Sequence, residues 1–471
     1  MRGRDTPSPE LEKVASWIAA EFHRFGLKPG AADGTYLQRY AILQKEVDTT
    51  GTLMTVTRAG RASATLNAGR DLIVLQLGPP LPSRDVTGPV ILLPNSVGPT
   101  SDPLAGADVR GGWVVDLMGG GKRERQIDVR AGLAALAAGA VGIIVISDRS
   151  DAEWHARVSG GYGPTVAPGQ EPDADAPLAP GLVEIRDQGA ARAFGIDPVA
   201  LRAANRRSAQ RLEGTRVTVH VHERVLSATS APNVIGILEG SDPKLRNEYV
   251  FFTAHMDHLG VASLQNPACQ ARGADSICNG ADDDASGTAA VIENAEAFSL
   301  LTPRPARSLV FMTVSGEEKG LWGSEYFTAH PTVPLSAVVA DLNTDMVGRN
   351  WKDTIAVIGK EQSDLGATLD RVAATHPELH ITPIGDIWPS ESFYTRSDHY
   401  NFARRGVPIL FFFNGTHADY HMVSDEVSRI DAEKESRIVR LVFYVGLEIA
   451  TAAARPRWDP ASYKRVVEGA N

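Results

Sequence analysis

The chain has 471 residues, 43% hydrophobic and 22% charged, with a formal net charge of −10 at pH 7. That length suits two or three domains and that balance a globular protein, while the acidic surplus and a pI near 5.7 argue against a nucleic-acid or anionic-membrane surface. No uninterrupted apolar run reaches the roughly 18 residues of a spanning helix, the nearest being the Gly/Ala-rich Ala131 to Ile146, which looks like a helix running into a buried strand, so no membrane span is expected.

The N-terminal stretch MRGRDTPSPELEKVASWIAAEFHRFGL has no signal-peptide h-region. Thr6 or Ser8 is placed to cap an amphipathic helix with apolar positions at Leu11, Val14, Trp17, Ile18 and Phe22. Residues 71–78 and 87–94 have strand character. They are followed by WVVDLM, a basic linker GKRERQ, the helical AGLAALAAGA and the strand VGIIVIS. Residues 148–181, full of Gly, Pro, Asp and Ala, are expected to be loop. LVEIRDQGAARAFGI suits a strand followed by a helix, and residues 215–225 alternate as a half-buried strand. From 249 onward strands alternate with helices in the doubly wound manner. The expected division is an N-terminal part of an α/β domain at 1–80, a β-rich insert at 81–215, and the main part of the α/β domain at 216–471.

Within that last part, apolar runs end repeatedly at residues that bind metals. YVFFTA leads into His255, Asp257 and His258; SLVFMTVSG into Glu317 and Glu318; SAVVADLNT into Asp345; and VPILFFFNG into a loop with His417, Asp419 and His421. A fifth segment, NGADDDASG, holds Asp282, Asp283 and Asp284 just before a helical run, where Asp284 or Ser286 can serve as N-cap. In open α/β sheets ligands collect beyond the carboxyl ends of the strands, so these loops can share one crevice. Close carboxylates ionise together only beside a compensating cation. The nearest basic residues in sequence are Lys319 and Arg396, which leaves divalent metal as the substitute. The mixed His/Asp/Glu set suits zinc or a similar ion. If two zinc ions share Asp283, with His255 and Asp345 on one and Glu318 and His421 on the other, a single hydroxide brings the charge to zero. Glu317 is then left free as a general base.

These stretches carry a family resemblance. AHMDHLG, NGADDDASG, SGEEKGLWGSEYF, NTDMVG, the SDH of 397–399 and DYHMVSDE, in that order, resemble the co-catalytic zinc aminopeptidases of the M28 family. The resemblance implies a mixed, mostly parallel sheet flanked by helices. It implies two Zn2+ per chain held by His255, Asp283, Glu318, Asp345 and His421, with Asp283 bridging. It further implies Glu317 as general base to a metal-bridging hydroxide, Asp257 orienting His255, and a cis peptide bond between Asp283 and Asp284. Tyr394 matches the position of an oxyanion donor in some relatives, with Tyr420 as the alternative, and His417 is left beside the site or on the surface. VTGPVILL…WVVDLM…AGLAALAAGAVGIIVIS resembles the protease-associated (PA) domain often inserted in this family, either narrowing access to the active site or purely structural.

The expected function is removal of N-terminal residues from peptide substrates. Two alternatives use the same scaffold: a carboxypeptidase or dipeptidase, for which Arg396 could receive a carboxylate, and a glutaminyl cyclase, which the full ligand set argues against. A non-catalytic binding protein would have lost ligands, and the absence of GxSxG and HExxH argues against serine-hydrolase and zincin chemistry. Cys269 and Cys278, the only cysteines, are too far apart for a CxxC metal site and suit a local disulfide worth roughly 2–3 kcal/mol in the loop-entropy view. A periplasmic or secreted location is expected, with the leader absent from the sequence given.

Overall fold

The computed structural model describes residues 2–76, 85–94, 104, 107–118, 129–161, 165–169, 181–204, 206, 208–263, 266 and 268–469. The GKRERQ linker lies outside the described residues. The chain divides into two compact units, Met1–Tyr40 with Ser230–Asn471, and Ala41–Thr229.

In the larger unit four strands, Ile409–Phe413, Val338–Asp345, Tyr249–His255 and Ser308–Val314, lie side by side in that order and run parallel. Thr354–Ile358 flanks Ile409–Phe413 antiparallel, and Val234 to Leu238 flank Ser308–Val314 antiparallel, so the sheet is mixed with a parallel centre. The four central strands are apolar almost throughout because helices cover both faces. Successive side chains point to opposite faces: Phe251 packs against Phe327 and Phe402, with ring centroids 5.5 Å from each. Its neighbour Phe252 packs 5.4 Å from Phe298 of the helix Gly287–Ser299. Deleting either ring would open a cavity in a layer with no slack.

The first helix is Pro9–Arg24, and its N-cap is Ser8, whose hydroxyl accepts from the Leu11 amide at 3.1 Å. Leu11, Val14, Ile18 and Phe22 are buried, whereas Trp17 is 51% exposed and stands apart from the apolar stripe.

The smaller unit contains one eight-stranded sheet in the order Ala64–Asn67, Leu53–Arg58, Gln210–His220, Asp85–Leu92, Trp113–Leu117, Gly142–Ser147, Gly181–Arg186, Leu72–Gln76. Strands from 53 to 76, placed by the sequence in the first domain, pair inside this sheet. Met54, Val56, Leu66, Leu72 and Val74 face the same core as Trp113 and Ile144, and that burial fixes their membership. The stretch expected as loop holds a helix, Asp151–Gly161, and a strand, Thr165–Pro168. Trp154 explains the helix: it is buried and its indole donates to the Arg70 carbonyl at 3.0 Å.

Candidate metal centre

Parallel strands deliver their carboxyl ends to one side, and here each ends in a polar residue. Tyr249–His255 ends on His255 and Val338–Asp345 on Asp345. Ser308–Val314 is followed by the turn with Glu317 and Glu318, and Ile409–Phe413 by the loop with His417 and His421. The segment Ala281–Ser286 completes the set. It enters through Gly280 at φ 58, where an added Cβ would meet the Asp283 carbonyl at 2.0 Å and the His258 ring at 2.4 Å, so only glycine fits. The Asp283–Asp284 peptide bond is cis.

Asp283 stands between two groups of donors. Its Oδ1 is 3.2 Å from Nε2 of His255, which lies 3.8 Å from Oδ2 of Asp345. Its Oδ2 is 3.2 Å from Nε2 of His421, which is also 3.2 Å from Oε2 of Glu318. Two ligand atoms on one tetrahedral zinc, each at about 2.0–2.1 Å, stand roughly 3.3 Å apart. Among the described residues, the buried atoms His255 Nε2, Asp283 Oδ2, Glu318 Oε1 and Asp345 Oδ1 have no hydrogen-bond partner. Unpaired polar atoms in a dry interior are costly unless something binds them. The donor chemistry, the spacing and the unpaired atoms together fit two zinc ions that share Asp283.

Local electrostatics shows the same shortage of positive charge. Burial pushes Glu317 well above the usual carboxylate range, and Glu318, Asp398 and Asp345 add to the rise. Burial likewise raises Asp345 and takes Asp398 to about 7. On His421 burial disfavours the proton, but Asp283 and Glu318 outweigh it and raise the ring to about 10. His255 rises well above the imidazole range in the same manner, burial being outweighed by Glu317, Asp257 and Asp283.

The surrounding residues hold these groups in place. Asp257 is fully buried; its Oδ1 lies 3.7 Å from His255 Nδ1, and its Oδ2 accepts from the Gly316 amide at 2.8 Å. Ser397, of the SDH stretch, donates to Asp345 Oδ2 at 2.9 Å and accepts from Asn343 at 3.1 Å. Asp284 caps the following helix, accepting from the Gly287 amide at 2.9 Å, and also receives the amides of Met346 and His255 at 3.1 Å each. Asp282 is buried; it accepts from the Gly348 amide at 2.6 Å and lies 3.1 Å from His417 Nε2. His417 therefore faces Asp282, and the ligand distances fall to His421.

Three residues at the site had no role there assigned from the sequence: His258, Arg4 and Thr6, the last of these read as a possible helix cap. His258 is buried with Nδ1 2.6 Å from Glu318 Oε1, although neither atom has a hydrogen-bond partner, and its Nδ1, Asp283 and Glu318 make a second three-residue group able to hold a metal. Arg4 and Thr6 come from the far N-terminus into the same region. The motif AHMDHLG flags His258; nothing local flags the other two.

The two candidate tyrosines are placed differently. Tyr394 does not line the pocket formed by Asp283, Glu317, Asp345, Met346, Phe393, Arg396, Phe411, Phe413, Thr416 and Tyr420. On the short turn Phe393–Thr395 neighbouring side chains diverge: Phe393 faces the pocket, and Tyr394 packs edge-on against His399 and Tyr400. Tyr420 is in the pocket, stacked on His421 at 3.8 Å between centroids. Arg396 also lines it, with its guanidinium 4.7 Å over the Phe393 ring. Cys269 and Cys278 form a disulfide in the loop between His255 and Asp283. Among the described residues no helix is long and apolar enough to cross a membrane.

The chain is similar to several known proteins. The chain is 26% identical over 249 residues to a probable leucine aminopeptidase of Trichophyton verrucosum, covering 51% of this chain and 62% of that protein. It is 32% identical over 159 residues to a probable zinc metalloprotease of Pyricularia oryzae, covering 32% of this chain and 29% of that one. The chain thus spans less than two thirds of the length of the curated relatives it matches. Among solved structures, an aminopeptidase from Aneurinibacillus sp. aligns with 98% of this chain and 92% of its own at a TM-score of 0.49 and 20% identity. Residues 233–446, a stretch that contains every candidate metal ligand named above, match the family model described as peptidase family M28.

Proposed function

We propose that the protein is a zinc aminopeptidase that binds two zinc ions and hydrolyses the first peptide bond of its substrates. The observation that carries this reading is the position of Asp283, whose two carboxylate oxygens each face a different histidine at 3.2 Å. His255, Asp283 and Asp345 would hold one ion, and Asp283, Glu318 and His421 the other. Zinc bound there supplies Lewis acidity and lowers the pKa of an attacking water.

The chain's own residues do the rest. Glu317 stands outside both ligand groups, with Oε2 3.9 Å from His255 Nε2. Its carboxylate would take a proton from the attacking water and return it to the departing amine. Asp257 holds the His255 ring through the Nδ1 side, fixing which nitrogen points inward. The Tyr420 hydroxyl is the donor in place for the developing oxyanion. Tyr420→Phe is expected to lower kcat about tenfold, and Tyr394→Phe to leave it within about twofold. The opposite order, measured on one p-nitroanilide, would return the role to Tyr394.

Arg396 supports a second reading. It is the cation lining the pocket, its side chain is 43% exposed, and its acidic neighbour Glu391 is 3.9 Å away. A free substrate carboxylate would find a partner there, as in a dipeptidase or carboxypeptidase. Arg396→Met is expected to raise KM for dipeptides about tenfold over the matching dipeptide amides, with little change for aminoacyl p-nitroanilides. Equal effects on all three would remove carboxylate recognition from Arg396. The test of the main reading compares Leu-p-nitroanilide with its N-acetylated form, with and without chelator. Chelator-sensitive cleavage of the free-amine substrate alone supports an aminopeptidase; cleavage of both, or only of C-terminally free acyl peptides, overturns it.

The disulfide supports a home in an oxidising compartment. The mixed sheet of Ala41–Thr229, with parallel neighbours Asp85–Leu92, Trp113–Leu117, Gly142–Ser147 and Gly181–Arg186, supports reading that unit as the PA-like insert.

A further inference from the structure

Residues Gly3 to Thr6 lie against the metal centre although some 250 residues separate them from it in sequence. Each touches a segment that carries a proposed ligand or the proposed base. The Gly3 carbonyl accepts from the Gly260 amide at 2.9 Å, and the Arg4 carbonyl from the His258 amide at 3.2 Å. The Arg4 guanidinium donates to the carbonyls of Met256, Asn279 and Gly280 at 2.9, 2.5 and 3.1 Å, so one side chain ties the loop after His255 to the loop before Asp283. It also lies in the field of Asp257, Asp284, Asp283 and Asp425. Asp5 pairs with Lys319 at 2.8 Å, next to Glu318.

Thr6 makes the most specific contact. It is fully buried, yet its hydroxyl caps no helix. It donates to Asp257 Oδ2 at 2.8 Å and accepts from the Gly316 amide at 3.1 Å. The other oxygen of the same carboxylate faces His255 Nδ1 and lies 3.3 Å from the Glu317 amide. One hydroxyl therefore fixes the carboxylate that aims both the first histidine and the turn bearing the base. A hydroxyl that both donates and accepts inside a dry site is a directional device, since a methyl group of the same size would fill the space equally well.

We propose that the N-terminal strap Gly3–Thr6 is a built part of the metal centre, with Thr6 a positioning residue that sets Asp257, and through it His255 and Glu317. Arg4 fastens together the loops that bear the first histidine and the bridging aspartate. This inference rests on the two-zinc reading of the site. Partners that orient metal ligands commonly account for 10- to 100-fold in metal affinity or activity.

The experiment uses the full chain with Thr6→Val, Thr6→Ser and Arg4→Lys. Zinc affinity is measured by chelator competition on folded apoprotein, and ligand geometry by the visible spectrum of the cobalt-loaded form. Thr6→Val is expected to weaken zinc about tenfold or more and to shift the cobalt bands, while Thr6→Ser restores both. Arg4→Lys, which cannot reach three carbonyls at once, is expected to weaken zinc as well. Wild-type zinc affinity with an unchanged cobalt spectrum in folded Thr6→Val would overturn the proposal, as would failure of Thr6→Ser to restore affinity. Neither readout requires peptidase activity. A wild-type protein that binds two zinc ions without cleaving peptides would sink the proposed function and leave this inference testable.

Discussion

Glu317→Gln is expected to lower kcat about a hundredfold or more while the protein keeps both zinc ions. The amide is nearly isosteric with the carboxylate, so packing is preserved. It cannot accept and return a proton, and general acid–base catalysis of that kind is worth about 100- to 10,000-fold. Glu317 belongs to neither candidate ligand group, hence the unchanged metal content. Zinc analysis and steady-state rates on the same sample check both halves. Loss of metal, or near-normal turnover, would make Glu317 a ligand or a bystander.

Asp283→Ala is expected to release at least one zinc ion, to abolish measurable turnover and to lower Tm. Asp283 is the only residue common to both groups, so its removal takes a ligand from each ion at once. The proposed ligands left behind include buried groups: His255 at 1% exposure and Asp345 at 7%. Metal binding free energy is folding free energy where the site forms only on folding. A buried charge stripped of its counter-charge then destabilises the region by about 3–5 kcal/mol. A folded Asp283→Ala protein that still holds two zinc ions would take the bridging role away from Asp283.

The centre was legible where local rules act. A parallel strand covered on both faces must be apolar along its length, so a run such as YVFFTA that stops at a histidine marks a strand end facing a crevice. The repeat of this pattern at His255, Glu317, Asp345 and His421 is what drew the site together. Asp284 was likewise readable as a helix cap from the small residues around it. What was hidden depends on long-range contact or on side-chain direction. Arg4 and Thr6 sit in an unremarkable polar leader, and only the fold brings them beside Asp257. Tyr394 is favoured over Tyr420 by its place in the motif, and sequence does not say which way either side chain turns. The strands from 53 to 76 alternate as strands do, but alternation does not say which sheet they join; burial of Met54, Val56 and Leu66 against Trp113 does. Helix Asp151–Gly161 was missed because its Gly- and Asp-containing composition has little periodicity and its anchor is the single residue Trp154.

The most direct test is a zinc titration of chelator-stripped protein, followed by hydrolysis of Leu-p-nitroanilide. The arrangement around Asp283 predicts that zinc content saturates at two equivalents per chain and that full activity returns only as the second is bound. Full activity at one equivalent, or in the stripped protein, would contradict a centre built on two ions sharing one aspartate.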